Sequence, residues 1–110
     1  MDAGLKAVKE TGERHMEADL YRVRGELILL RDPSQTDEAE RCFRKAIEVA
    51  RSQQAKSWEL RATTRLARLL DGRGRREEAR RALAEIYGWF TEGFDTADLK
   101  DAKALLDELS

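Results

Sequence analysis

Two ten-residue stretches of the chain decide the fold: EAERCFRKAI at residues 38–47 and EARRALAEIY at residues 78–87. Both read Glu-Ala-x-Arg, followed by a large apolar residue at the sixth position and apolar residues at the ninth and tenth, and they lie 40 residues apart. Apolar residues that recur every three or four positions share one face of an α-helix. The sequence therefore predicts two equivalent amphipathic helices.

The remainder of the chain is also typical of helices. Its 110 residues are 41% hydrophobic and 39% charged, and the good helix formers Ala, Leu, Glu, Arg and Lys dominate. Helix breakers such as Gly12, Pro33, Gly72 and Gly93 divide it into segments of helical length. We predict an all-α fold of one domain without strands, with helices at about residues 5–11, 14–31, from 36, 56–71, from 75 and from 96.

Each predicted helix has an apolar face. In the helix at 14–31 this face is a stripe of four residues widened by two more, namely Leu20, Val23, Leu27 and Leu30 with Tyr21 and Ile28. Thr36 is the predicted N-cap of the next helix, and Asp95 or Thr96 that of the last. The last helix presents an apolar side that we expect to cover the end of a stack: Leu99, Ala102, Leu105, Leu106 and Leu109.

The helices that precede the two stretches also correspond. Arg24-Gly25 and Leu66-Ala67 place a small residue at equivalent points, where two antiparallel helices can approach closely. Two helical hairpins therefore repeat. Small residues, alanines and a large apolar residue at fixed positions of such hairpins resemble the tetratricopeptide repeat. These positions are occupied by Gly25, Ala39, Phe43 and Ala46 in one hairpin and by Ala67, Gly74, Ala79 and Leu83 in the next. The period exceeds the usual 34 residues by about six, which indicates a longer, divergent variety.

Nearly the whole chain resembles one group of such repeats, the C-terminal helical-repeat segment of large bacterial signalling proteins. These proteins couple an adenylate-cyclase-type or transcription-regulator domain to an ATPase module. The matching residues are Glu13-Arg14, EADLYR at 17–22, Gly25-Glu26-Leu27, AKSWELRA at 55–62, YGWFTEGFDT at 87–96 and Asp98-Leu99-Lys100. No cyclase or nucleotide-binding residue is carried over, because the sequence has neither a glycine-rich phosphate loop nor a metal-binding aspartate pair.

The resemblance implies a right-handed, tetratricopeptide-like stack of hairpins with a C-terminal capping helix. Residues 1–12 would be a partial helix of a preceding repeat, 13–54 and 55–93 the two repeats, and 94–110 the capping helix. The chain would then be a fragment or a truncated relative of a signalling protein in the cytoplasm.

Catalysis, cofactor binding and metal binding are not expected. A nucleophile needs a base within hydrogen-bond reach, whereas the only histidine is His15, at a polar helix start, and the only cysteine is Cys42, on an apolar helix face. Structural zinc requires several Cys or His ligands. The longest aliphatic run, Leu27–Leu30, is too short to cross a bilayer, so we expect no membrane association.

The basic stretch at residues 61–81 is the strongest surface signal. Three of its arginines line one side of a helix, and in a hairpin stack they would lie beside Asp19, Arg22 and Glu26 of the helix at 14–31. We predict a groove for an acidic peptide or small ligand, because guanidinium groups bind carboxylates bidentately; its residues are Arg22, Glu26, Arg61, Arg65 and Arg68. The alternative is solvated charge paired within helices, such as Glu40 with Arg44 and Glu77 with Arg81. Nucleic acid is not an expected partner, because the net charge is −1.

Four aromatic residues crowd in front of the last helix: Tyr87, Trp89, Phe90 and Phe94. We expect them to close the end of the stack, and the alternative is an anchor for another subunit. At the opposite end, the helix at 14–31 keeps an apolar face that needs cover, because solenoids generally need about three repeats and capping ends and this chain has only two complete hairpins. The predicted partner is therefore a protein, with homodimerisation the simplest solution.

Overall fold

A computed structural model describes residues 14–90 and 96–109, with side chains from Glu17 onward. It contains five α-helices: α1 (Arg14–Arg31), α2 (Thr36–Ser52), α3 (Lys56–Gly72), α4 (Arg76–Tyr87) and α5 (Ala97–Leu109). No strand occurs among these residues, so the predicted all-α class is confirmed for them. The helix predicted at residues 5–11 lies outside the described residues.

Each helix packs against the next one along the chain, and α3 also contacts both α1 and α5. These contacts are compatible with a stack of helical hairpins in which α1–α2 and α3–α4 are the two pairs. The described helices fall within the predicted segments 13–54, 55–93 and 94–110.

The two alanines of the repeated stretches both lie in the main core, where Ala39 and Ala79 are 0% exposed. Each follows its helix start at the same distance, and its backbone N–H donates to the carbonyl four residues earlier, on Gln35 and Arg75 respectively, at 3.1 Å. The largest fully buried side chains of this core come from α2, α3, α4 and α5. They are Phe43, Leu60, Leu70, Leu83 and Leu105.

Gly25 faces the ring of Phe43 where α1 packs against α2. A Cβ atom placed on it would lie 2.6 Å from Cε1 of Phe43, a ring that is itself buried. Only a residue without a side chain fits there, so the prediction that a small residue brings the two helices together is confirmed at this position.

The helix ends follow the sequence with one exception. The loops after α2 and α3 turn the same way, since Gln54 and Gly74 have φ of 56° and 80° and the next residue donates to a carbonyl five residues back. Thr96 accepts a bond from the N–H of Leu99 at 3.4 Å, as an N-cap should. The prediction for Thr36 is wrong: it is the first helical residue, and Gln35 occupies the N-cap without a side-chain bond.

The stripe predicted as the apolar face of α1 does not face the core. Leu20, Leu27 and Leu30 are 62%, 53% and 79% exposed. The core side of α1 is formed instead by Ala18, Tyr21, Gly25, Ile28 and Leu29. The physical reason is Gly25: the ring of Phe43 needs the gap that this residue leaves, and that contact turns the leucine stripe outward.

Candidate interaction site

The predicted arginine row lies on one side of α3, and acidic residues of two other helices flank it. Arg61 donates to both carboxylate oxygens of Asp98 on α5, at 3.3 and 2.9 Å. Its Nη1 also lies 3.7 Å from Asp19 on α1. The hydrogen bonds to Asp98 raise the pKa of Arg61 above its ordinary value. Arg61 therefore joins α1, α3 and α5.

The other members of the predicted groove continue this bridge. Arg65 donates from Nε to Glu26 of α1 at 3.3 Å, and its Nη1 lies 3.6 Å from Asp101 of α5. Arg22 pairs with Glu26 and, at 2.7 Å, with Asp19 within α1. Arg68 lies 3.9 Å from Asp101.

The structure thus brings all five predicted groove residues together, but it pairs their charges internally. Arg22, Arg61, Arg65 and Arg68 face four carboxylates, those of Asp19, Glu26, Asp98 and Asp101. A carboxylate ligand would therefore compete with bonds already made. Sequence reasoning missed Asp98 and Asp101 as partners of the row, although their spacing of three places both on one side of α5.

A cavity of about 550 Å³ opens beside this row, between the C-terminal halves of α1 and α3. Leu29, Leu30 and Leu69 contribute apolar surface, and Arg65, Arg68 and Arg73 stand at its edge. Within the described residues the Arg68 side chain makes no hydrogen bond, and it is about half exposed. No sequence pattern points to this cavity, because it forms only where residues of α1 and α3 come together.

A second charge network links the two hairpins on the α2 and α4 side. Glu40 accepts from Arg44 and Arg73 at 2.8 Å and from Arg75 at 3.0 Å. Glu78 on α4 accepts from Arg44 at 2.8 Å and from Arg75 at 2.9 Å, and these bonds lower the pKa of Glu78. The alternative prediction, that charges pair within helices, holds for Glu40–Arg44 and, at 3.7 Å, for Glu77–Arg81. Many arginines of the basic stretch nevertheless pair with residues of a different helix.

No family model, curated protein or solved structure matches this chain. The tetratricopeptide and signalling-protein resemblances therefore remain predictions.

The predicted aromatic group is divided. Tyr87 and Phe90 are partly buried and pack against the main core, as expected of residues that close the stack. Trp89 is 57% exposed; it meets the ring of Phe90 edge-on at 5.1 Å and lies beneath the ammonium of Lys56 at 5.6 Å. Phe94 lies outside the described residues.

The chemistry-bearing groups give no constellation within the described part of the chain. Cys42 is partly buried, and desolvation raises the pKa of its thiol, which disfavours the reactive thiolate. A search of the same residues for three or more clustered His, Cys, Asp or Glu side chains finds none. No helix in residues 14–90 or 96–109 has both the length and the apolar character needed to cross a bilayer.

The most unusual surface belongs to α1. We call Leu20, Val23, Leu27 and Leu30 the outward stripe, of which the three leucines are exposed and Val23 is partly buried. Its residues are spaced by three and four, so they share one side of the helix, and the side opposite them packs against α2 and α3. A shallow groove of about 470 Å³ between α1 and the start of α2 adjoins the stripe at Leu27. Helix α1 is therefore apolar on two sides, and in the described structure only one of them is covered.

Proposed function

We propose that this protein is a non-catalytic interaction module, built as a tetratricopeptide-like hairpin stack with α5 as its cap, which associates through the outward stripe of α1. The observation that carries the proposal is the exposure of three leucines on one side of one helix. Scattered exposed leucines are ordinary, but contiguous apolar patches mark interaction sites.

The repeat architecture supports the same proposal. In a hairpin stack every inner helix is packed on both sides, because each unit covers the apolar face of its neighbour. Helix α1 has the two apolar sides of an inner helix, and α5 has Leu99, Leu105 and Leu109 buried on one side and charged residues such as Lys103 and Asp107 exposed on the other. The α5 end is thus finished as a cap, whereas the α1 end is built for a further contact.

The setting of the module belongs to the same proposal. The resemblance described above supports a cytoplasmic signalling regulator in which such a segment carries no chemistry. The pairing of the arginine row within the chain supports a structural role for those residues, since they fix α1, α3 and α5 relative to one another.

The experiment compares the full chain with a double variant, Leu27→Gln with Leu30→Gln. Both side chains are more than half exposed, so we expect the variant to keep its helix content and melting temperature. Sedimentation equilibrium should show that association of the parent is weakened at least tenfold in the variant. Equal association of parent and variant, or a loss of stability typical of a core substitution, would contradict the proposal.

A second candidate function is a sensory groove for an acidic peptide or small ligand. The observation that favours it is the cavity of about 550 Å³ with Arg68 at its edge, since the Arg68 side chain makes no hydrogen bond to a described residue and lies 3.9 Å from Asp101. Calorimetric titration with short acidic peptides tests it, using Arg68→Glu and Arg65→Glu as variants. Binding to the parent that both variants lose supports this function, and absence of binding to the parent removes it.

A further inference from the structure

We infer that the occupant of the outward stripe is a second copy of this chain, with the two α1 helices running antiparallel. This inference rests on the proposed function, because it names the partner of the same surface. It is drawn from the spacing of the stripe and from the charges along its edges.

The spacing is that of a helix-pairing seam. Leu20, Val23, Leu27 and Leu30 follow one another by three, four and three residues, the alternation found where two helices pack side by side over several turns. The stripe is also nearly symmetric about its middle. In an antiparallel pair, Leu20 of one copy therefore lies opposite Leu30 of the other, and Val23 opposite Leu27.

The free charges favour the antiparallel direction. The edge of the stripe carries Glu17, Arg24 and Arg31, all exposed and seven residues apart. Within the described residues none of the three forms an ion pair or a side-chain hydrogen bond. In an antiparallel pair, Glu17 of each copy faces Arg31 of the other, which gives two attractive contacts. A parallel pair would instead place this edge against the opposite edge of the other copy, which carries Asp19 and Glu26.

The opposite edge of the stripe agrees with this direction. Its acidic residues, Asp19 and Glu26, are already bound by Arg22, Arg61 and Arg65. They are therefore poor partners for Arg24 and Arg31 of a parallel copy. Two like-charge contacts remain near the symmetry axis of the antiparallel pair. The two Arg24 side chains approach each other on one edge, and the two Glu26 side chains, already bound by Arg22 and Arg65, approach each other on the other.

The expected contact between the two copies is small. One helix from each copy gives an interface at the small end of the specific range, so we expect a dissociation constant on the order of micromolar or weaker. The measurements are therefore made from low micromolar to millimolar chain concentration.

Disulfide trapping tests the direction. In a Cys42→Ala background of the full chain, Leu20→Cys and Leu30→Cys are prepared separately, one of them isotope-labelled, and oxidised alone and mixed. Disulfides need Cα atoms within about 7 Å, and two Leu20 positions in an antiparallel pair are about 15 Å apart along the helix axis. We expect cross-linked dimers from the mixture and none from either variant alone.

A charge exchange provides the second readout. Glu17→Arg or Arg31→Glu alone should weaken association five- to tenfold, since each turns two attractive contacts into repulsive ones, and the double exchange should restore the parent affinity. Arg24→Gln should strengthen association. Arg41→Glu is the matched control, because Arg41 is exposed on α2 and should leave association unchanged.

The outcomes separate this inference from the function on which it rests. Association that requires Leu27 and Leu30 but cross-links each cysteine variant with itself overturns the antiparallel pair and leaves the interaction module standing. A monomeric chain at millimolar concentration in which Leu20→Glu causes unfolding shows that residues of the same chain cover the stripe, which overturns the inference and the proposed function together.

Discussion

Gly25→Ala is the sharpest test of how the first hairpin is assembled. The added methyl group would lie 2.6, 2.9 and 3.0 Å from three atoms of the Phe43 ring, against an optimal carbon–carbon separation of about 3.5–4.0 Å. The ring is 1% exposed and cannot swing into solvent. Overpacking costs about 1–3 kcal/mol, whereas replacing a helical glycine by alanine gains about 1 kcal/mol. We expect a net loss of about 1 kcal/mol in the free energy of unfolding.

The assay is urea and thermal unfolding followed by far-ultraviolet circular dichroism, where 1 kcal/mol corresponds to about 4–8 °C. Gly72→Ala is the matched control, because it ends α3 with nothing within 4 Å of the added atom and should be neutral or stabilising. Adding Phe43→Leu to Gly25→Ala should reproduce the Ala67 and Leu83 combination of the second hairpin and recover stability, with a favourable coupling of about 1 kcal/mol. The reasoning is refuted if Gly25→Ala stabilises the chain as much as Gly72→Ala does.

Three further predictions concern the core and the charge networks. Ala79→Leu should destabilise the chain by about 1–3 kcal/mol through overpacking, because Ala79 is 0% exposed; a neutral result in chemical unfolding would exclude close helix packing there. Asp98→Asn should speed amide hydrogen exchange across residues 97–109 severalfold by weakening the bond from Arg61, whereas Asp107→Asn, which alters only a local pair with Lys103, should not. Hydrogen bonds from Arg44 and Arg75 lower the pKa of Glu78 from 4.5, so its contribution to stability is present above pH 4.5 and is lost as the pH falls through the lower, folded-state pKa. The Glu78→Gln variant should therefore lose less stability on acidification than the parent. Equal acid sensitivity of the two would show that those bonds do not contribute.

Much of the fold could be read from the sequence because its helices carry regular apolar patterns between strong breakers. Phe43 in α2, Leu66 in α3 and Leu83 in α4, all part of the repeated pattern, are buried. Helix α1 begins and ends where expected. Residues 38–47 and 78–87 also place Ala39 and Ala79 in equivalent local settings within one core.

The orientation of α1 could not be read in the same way. Its sequence offers two apolar sides, and hydrophobicity alone favours the one with four large residues. The choice depends on the shape of the contact between Gly25 and Phe43, which is a property of two helices together. The predicted N-cap at Thr36 was wrong by one position, because α2 begins at Thr36 itself. In the turn just before it, the Asp32 carboxylate accepts hydrogen bonds from the backbone N–H and the hydroxyl of Ser34.

The arginine row shows the same division. Its residues were found from their spacing, but their partners lie 33 to 39 positions away in Asp98, Asp101 and Glu26. A helical spacing predicts which side chains share a face. Whether that face is free for a ligand depends on the helices packed beside it, and here acidic residues of two helices flank it.

The most direct test of the account is a dilution series of the isotope-labelled full chain followed by nuclear magnetic resonance. From millimolar to low micromolar concentration, we predict that chemical shifts change along α1 at Leu20, Val23, Leu27 and Leu30 and at the adjoining start of α2, while α5 and the Trp89 indole stay constant. Spectra independent of concentration, or changes centred on Trp89, would contradict the assignment of the outward stripe as the contact surface.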